Sequence, residues 1–330
     1  MGSATRRNDE LVIGLIGLGS IGTRHALKLK ELGVKKIVCL RTNAGAKKEI
    51  DPQLQSIVQI CSSEKEFRDQ KPNALIISNP TALHANALEQ FADLNIPVFV
   101  EKPMISESSE ANQLTKLQKD LIFVGYCLRY HSIIQTVQKL IKEQTVGKIF
   151  LAKLAAGHYL PDWHPYTDYT KEYYSRKDLG GGALRTLSHE IDLMVHFFGT
   201  PNKRNVTAGK LSDLKIDVDD YALLQADYGD CHVRVELDFI SLDSTRTGSF
   251  YGDGGEIHFD FGAALVYVID RKTKEKRIIE YDVKQDMYLE QMKAFLNFVN
   301  TRTQSLFCTF DEAYVISNII DQTKKMNDGF

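Results

Sequence analysis

Between residues 11 and 126 the chain repeatedly sets a short, unbroken apolar run ahead of a helix-length amphipathic one. The apolar runs fall at 11–16, 36–40, 56–60, 74–78, 97–100 and 121–125. Helical patterns fall at 21–32 (closed by Gly33), 63–70, 81–94 and from Ser106 or Ser108 to about Lys119. Ser63 and Glu66 stand in capping-box spacing. Strands with no polar alternation are buried on both faces. Separated by helices, they predict a doubly wound parallel sheet. Few other architectures accept this pattern.

The first βα crossing carries Gly17-Leu18-Gly19-Ser20-Ile21-Gly22, a G-x-G-x-x-G that ends a strand and opens a helix. In that context Gly17 serves the tight turn, Gly19 lets the backbone approach a pyrophosphate, and Gly22 lets helix and strand pack closely. The helix N-terminus, with Ser20 and Ile21 in its first turn, then offers free N–H groups and a positive dipole end to the phosphates. A nicotinamide dinucleotide is the expected cofactor. Enzymes selective for NAD usually place an acid after the second strand to hold the ribose hydroxyls. Here the segment reads Leu40-Arg41-Thr42-Asn43, with Lys47 and Lys48 behind it. Arg41 is expected to meet a 2′-phosphate with its planar fork, helped by Thr42 or Asn43, which favours NADP over NAD.

Beyond 126 the pattern changes. A helix is expected at 132–143 and a strand at 148–155. A Tyr-, Asp- and His-rich loop follows at 157–179, then Gly180-Gly181-Gly182 and a helix at 183–198. Residues 205–282 alternate in the manner of half-buried strands, and helices close the chain near 285–302 and 310–326. The fold class is therefore α/β. An N-terminal Rossmann doubly wound parallel sheet (1–126, with 1–10 expected to be disordered) precedes a C-terminal α+β domain (127–330). That second domain has an open, mostly antiparallel sheet, and its closing helices are expected to pack back on the first. An open sheet needs its free face covered, which predicts a homodimer or homotetramer through the C-terminal sheet.

The 330 residues suit two domains. Lys plus Arg (41) nearly balances Asp plus Glu (43), for a net charge of −2, which argues against a nucleic-acid partner. No apolar run approaches the roughly 20 residues of a membrane span, and the polar start has no signal-peptide core. Five cysteines without motif spacing fit a reduced, cytoplasmic protein. Asp162 with His158 and His164 lacks the spacing of a metal site, so no metal is expected.

Three further segments follow the glycine turn in order: Asn79-Pro80-Thr81-Ala82-Leu83-His84, then Glu101-Lys102-Pro103, then Ser188-His189-Glu190-Ile191-Asp192 after the triple glycine. Together, over about residues 11–200, they closely resemble the Gfo/Idh/MocA family of sugar and inositol dehydrogenases. The resemblance implies hydride transfer between NADP or NAD and a secondary alcohol or ketone of a sugar, sugar nucleotide or cyclitol. It implies that Lys102 sits between nicotinamide and substrate and that His189 is the general base. Asn79 and Pro80 would line the cofactor, together with the neighbouring Ser78 and Glu101 and with His84. Gly125-Tyr126-Cys127-Leu128-Arg129-Tyr130 looks like the family's hinge, whose arginine, Arg129, faces the cleft. Trp163-His164-Pro165 and Asp168-Tyr169 resemble a subset acting on sugars or sugar nucleotides. Trp163, Tyr166, Asp168, Arg176 and Asp192 are the substrate-binding candidates, with Arg176 suited to a phosphate or carboxylate.

One position departs from the family. The Asp often found before the catalytic histidine is here Thr186, which can hydrogen-bond a substrate hydroxyl but carries no charge to stabilise an imidazolium. Either Glu190 or Asp192 supplies that charge, or Lys102 carries more of the proton transfer. Two other readings stand beside the dehydrogenase: an NAD-dependent glycoside hydrolase of the same family, and a catalytically silent nucleotide-binding regulator, which the Thr186 departure permits.

Overall fold

The computed structural model describes residues 6–41, 49–163, 165–303 and 306–326. By internal contacts the chain divides into two units. The first is 1–130 with 286–314, and the second is 131–285 with 315–330.

In the first unit six parallel strands run in the order β3-β2-β1-β4-β5-β6. These are β1 (Val12–Ile16), β2 (Lys36–Leu40), β3 (Val58–Cys61), β4 (Ala74–Ile77), β5 (Val98–Val100) and β6 (Ile122–Val124). The order reverses direction between β1 and β4, which makes that gap the switch point of a dinucleotide-binding sheet. Strand residues Ile13, Leu15, Ile37, Cys39, Ile76 and Phe99 are fully or almost fully buried, as unalternating strands require. Helix α1 (Ser20–Glu31) ends where Gly33 turns left-handed at φ +91°. Helix α2 (Glu64–Asp69) is capped by Ser63, whose Oγ accepts from the Glu66 N–H at 3.1 Å.

Three readings of this half need correction. The helix expected at 81–94 is broken: Thr81–Leu83 and Ala92–Leu94 are 3₁₀ turns around α3 (His84–Gln90). The helix expected to run to about Lys119 is a single 3₁₀ segment, Ser108–Gln113, preceded by Glu107 rather than begun by a serine cap. Residues 8–10, within the stretch expected to be disordered, form a 3₁₀ turn, and the Asn8 amide donates to the Leu32 carbonyl at 2.8 Å.

The second unit begins with α4 (Ser132–Lys142) and β7 (Ile149–Gly157). Short α5 (Leu160–Trp163) lies in the loop, followed by α6 (Ala183–Thr186) and α7 (His189–Phe198). The strands that follow are β8 (Lys203–Gly209), β9 (Tyr221–Asp227), β10 (His232–Asp238), β11 (Thr245–Gly252), β12 (Gly255–Asp260), β13 (Leu265–Asp270), β14 (Lys276–Ile278) and β15 (Lys324–Lys325). With β7 they form a nine-stranded sheet in the order β14-β13-β12-β11-β7-β10-β9-β8-β15. All pairings are antiparallel except β7 with β10 and β8 with β15. Alternate residues such as Ala152, Leu154, Val233, Val235, Phe250 and Ile257 are buried, and α4, α6 and α7 pack against the sheet. Residues of the opposite alternation carry polar groups, including an Arg234–Glu236 pair at 2.7 Å and a Ser249–His258–Glu256 chain.

The last helices are α8 (Met287–Thr301) and α9 (Phe310–Asp321). Asp286 caps α8, accepting from the Tyr288 and Leu289 N–H groups, and pairs with Lys28 of α1 at 2.8 Å. Phe295 and Phe298 of α8 join Phe99, Phe123 and Phe307 in the core of the first unit, where the Phe123 and Phe307 rings stack at 4.5 Å. Thus α8, distant in sequence, belongs to the core of the nucleotide-type sheet.

Candidate active-site elements

In the first unit every candidate among the described residues lies at the carboxyl ends of the parallel strands, where open α/β sheets bind ligands. The glycines of the first crossing have separate physical reasons. A Cβ on Gly17 (φ +96°) would lie 2.5 Å from the Asn79 backbone nitrogen, and one on Gly22 would lie 2.1 Å from the Gly17 carbonyl oxygen. A Cβ on Gly19 would meet nothing within 4 Å. Gly17 and Gly22 are therefore fixed by the fold, whereas Gly19 leaves its outer side open. No side chain caps α1, and its first turn holds no acid. A dinucleotide's pyrophosphate fits that cradle and its exposed N–H groups. Ser78 braces the turn by donating from Oγ to the Gly17 carbonyl at 2.8 Å.

Asn79 is half-buried, and its buried Oδ1 has no hydrogen-bond partner among the described residues. A buried acceptor in that state points to a missing donor, as a cofactor hydroxyl would be. Pro80 is exposed beside it. His84 is 1% exposed, with Nε2 2.8 Å from the Asn79 carbonyl and Nδ1 3.0 Å from the Pro103 carbonyl. Burial pushes its pKa below the usual range against the pull of those carbonyls. His84 thus ties two loops together rather than lining a ligand. Arg41 follows β2, its N–H donating to the Cys61 carbonyl, while Thr42, Asn43, Lys47 and Lys48 lie outside the described residues.

After β5, Glu101 accepts from His25 Nε2 at 2.7 Å and from the Lys102 N–H at 3.1 Å. Burial pushes the Glu101 carboxyl upward. The His25 hydrogen bond and charge, and then Lys102, outweigh it, so its pKa lies below the ordinary carboxylate value. Lys102 itself is half-buried. Arg129 is 2% exposed, and its Nη1 donates to the Phe307 carbonyl and to both Glu312 oxygens at 3.1–3.2 Å. That side of the guanidinium serves packing in its own unit.

In the second unit the helix expected at 183–198 is two helices. Thr186 ends α6 and His189 begins α7, with Leu187 and Ser188 between, so they do not share one continuous helix face as the sequence register suggested. The triple glycine prepares this. A Cβ on Gly182 (φ +111°) would lie 2.3 Å from an Asp219 carboxylate oxygen, and Asp219 accepts from the Leu184 N–H at 2.9 Å. Asp219, not singled out in the sequence, sets the start of α6. Its pKa is raised by burial.

His189 is half-buried, and Thr186 and Asp192 are buried. Glu190, 1% exposed, pairs with Arg246 Nε at 2.6 Å. Arg246 was also missed. It enters from β11, lies 5.9 Å from the Phe261 ring centre, and its charge helps burial hold His131 and His158 below the usual histidine range. No local motif announces such a helix–strand pair.

The loop candidates are scattered. Trp163 stacks on His158 at 5.4 Å and packs by Tyr174 and Phe239. Tyr166 is 98% exposed. Asp168 caps a 3₁₀ turn and pairs with Lys171. The Arg176 fork pairs with Asp178, both side chains being exposed. Arg176, Lys171, Lys210 and Lys215 line a cleft of about 640 Å³. His164 lies outside the described residues. Among the described residues no group of three or more His, Cys, Asp or Glu is placed to hold a metal, and no helix is long and apolar enough to cross a membrane.

These elements have counterparts in known proteins. Residues 11–126 match the family described as "Oxidoreductase family, NAD-binding Rossmann fold", and 134–258 match "GFO/IDH/MocA C-terminal domain". An uncharacterized oxidoreductase, YrbE of Bacillus subtilis, is 24% identical over 58% of this chain, which spans 54% of that protein. The myo-inositol 2-dehydrogenase of Thermotoga maritima is 22% identical, with 88% of each chain covered. A levoglucosan dehydrogenase solved with NADH superposes with a TM-score of 0.80 at 18% identity, covering 94% of this chain and 95% of that one. With both halves matched in order, and with the glycine turn, the Glu-Lys-Pro segment and the α6–α7 break each given a structural reason, the chain belongs to the Gfo/Idh/MocA oxidoreductase family.

Proposed function

We propose that this protein is an NAD(P)-dependent dehydrogenase that interconverts a secondary alcohol and a ketone on a sugar or cyclitol. The observation that carries the reading is the contrast within the glycine turn. Gly17 and Gly22 are closed by backbone, Gly19 is open, and the orphaned Asn79 Oδ1 stands on the adjoining loop. The dinucleotide would be held by the α1 N-terminus, the Gly19 backbone and Asn79, with Arg41 beside the adenosine end. When bound, its nicotinamide supplies the acceptor for the hydrogen and electron pair of the substrate C–H bond.

The remaining roles fall to side chains of this chain. His189 takes the hydroxyl proton at its imidazole and returns it in the reverse direction, since a ring nitrogen can both accept and donate a proton. The Lys102 ammonium stabilises charge developing on the substrate oxygen. Thr186 hydrogen-bonds a neighbouring hydroxyl. Glu190 is paired with Arg246, and the electrostatic partner proposed for His189 is Asp192, buried three residues on in α7. NADP remains the preferred cofactor, on the Arg41 argument. The proposed sugar class rests on the relatives named above, and a homodimer or homotetramer through the polar sheet face is proposed with it.

Incubation with NADP⁺ or NAD⁺ and a panel of polyols, aldoses and sugar nucleotides tests the reading. Stoichiometric formation of reduced cofactor and ketone supports it. Substrate cleavage without net cofactor reduction, or no turnover at all, rejects it. Sedimentation of a monomer at working concentration rejects the assembly.

A further inference from the structure

We propose that His25 and His84 are positioning residues that brace the Lys102 backbone from two sides, so that the ammonium is delivered to the substrate oxygen in one place. This deepens the function proposed above and rests on it.

Lys102 has a long flexible stem, so its aim depends on how firmly its own peptide units are fixed. The Glu101 N–H donates to the Ile77 carbonyl at 2.9 Å, which joins the turn to β4. Its carboxylate then turns back to receive the Lys102 N–H at 3.1 Å. That carboxylate needs a further anchor, and His25 of α1 provides it at 2.7 Å. The His25 side chain is fully buried, edge-on to Phe99 with centroids 4.9 Å apart, and its Nδ1 has no hydrogen-bond partner among the described residues. The ring is therefore committed to Glu101 through Nε2. Gly125 lies close beside the same oxygen, since a Cβ there would stand 3.2 Å from Glu101 Oε1.

On the other side of Lys102 the Pro103 carbonyl meets His84 Nδ1 at 3.0 Å, and the same ring reaches the Asn79 carbonyl at 2.8 Å. One imidazole comes from α1 and the other from α3, with Lys102 between the two points they hold. His84 also couples the Lys102 turn to Asn79, a cofactor-side residue. An imidazole with one N–H donates to one of the two carbonyls and packs against the other, so a shift in one loop still reaches the other through the buried ring. Both histidines are buried within the first unit, so neither is offered as a proton donor to substrate.

The test compares wild type with His25→Phe, His25→Gln and His84→Phe in the full-length protein. Phenylalanine keeps the aromatic volume and removes the ring nitrogens, and glutamine at 25 restores a donor. Three readouts are taken: NADH binding by fluorescence, kcat and KM on the best polyol, and the rate at which Lys102 is acylated by a succinimidyl ester, followed by peptide mass spectrometry. The expected result for both phenylalanine variants is kcat lower by roughly 10- to 100-fold with KM little altered and a changed Lys102 acylation rate, with NADH affinity unchanged in His25→Phe and weakened in His84→Phe through Asn79. His25→Gln is expected to recover part of the lost kcat and the wild-type acylation rate. Wild-type kcat and acylation in both phenylalanine variants would overturn the proposal, as would a lowered melting temperature with kcat intact. Should His25→Phe not fold, His25→Gln against His84→Phe still gives the comparison. A wild-type protein that binds no dinucleotide would sink the dehydrogenase reading, while the acylation rates would still decide whether the two histidines hold Lys102.

Discussion

Arg246 Nε and Glu190 Oε1 lie 2.6 Å apart, one on β11 and the other in the first turn of α7, next to His189. The carboxylate is 1% exposed and the guanidinium 20%. A buried pair of this kind contributes little net stability over an apolar substitute, but breaking it from one side is costly, because the other charge is left behind. Arg246→Met is therefore expected to destabilise the protein by about 3 kcal/mol. Urea denaturation measures this. A loss within error of zero would mean that Glu190 has other compensation and remains available to His189.

Proton transfer is proposed for His189. His189→Ala is expected to bind NADPH as wild type does and to lose roughly 10²–10⁴-fold in kcat. Equilibrium binding and initial rates check the two halves separately, and wild-type rates would remove His189 as the base.

The glycine turn gives a contrast between two neighbours. Gly22→Ala drives a Cβ into the Gly17 carbonyl at 2.1 Å, so both melting temperature and cofactor affinity are expected to fall. Gly19→Val places its side chain in open space. It is expected to keep its melting temperature within a few degrees and to bind dinucleotide at least tenfold more weakly, a loss of about 1.4 kcal/mol. Thermal melts with and without NADPH distinguish the two.

Arg41 is proposed to set cofactor choice. Arg41→Ala is expected to weaken NADPH far more than NADH in parallel fluorescence titrations. Equal weakening would mean that the guanidinium does not meet a 2′-phosphate.

His84, His131 and His158 have pKa values held down by burial, with Arg246 adding to the effect at the last two. The folded state therefore binds fewer protons than the unfolded state once the pH drops below the ordinary value of 6.5. Stability is then lost progressively as pH falls from there toward the depressed folded-state values, and little of this term changes above it. Unfolding free energies at pH 7.5, 6.5 and 5.5 should show that fall, and a flat profile would contradict the burial of these rings.

Much of the fold was legible because buried parallel strands repeat a local signal. Strands β1, β2, β4, β5 and β6 fall within a residue or two of their apolar runs. The misreadings share a cause. Residues 81–94 and 183–198 have continuous helical periodicity, but tertiary demands interrupt it: His84 bonded to two carbonyls, and Asp219 seating α6 against Gly182. Likewise the motif residues of the site were readable, since glycine spacing and Glu-Lys-Pro are local. Arg246, Asp219 and His25 act through partners 30 or more positions away in sequence, and one chain's pattern does not announce such pairs.

The most direct measurement is a fluorescence titration of the purified protein with NADPH and with NADH, alongside Gly19→Val. The account expects saturable binding at one dinucleotide per chain, tighter for NADPH, and its loss in the variant with no change in fold. Failure of both dinucleotides to bind the folded wild-type protein would contradict it.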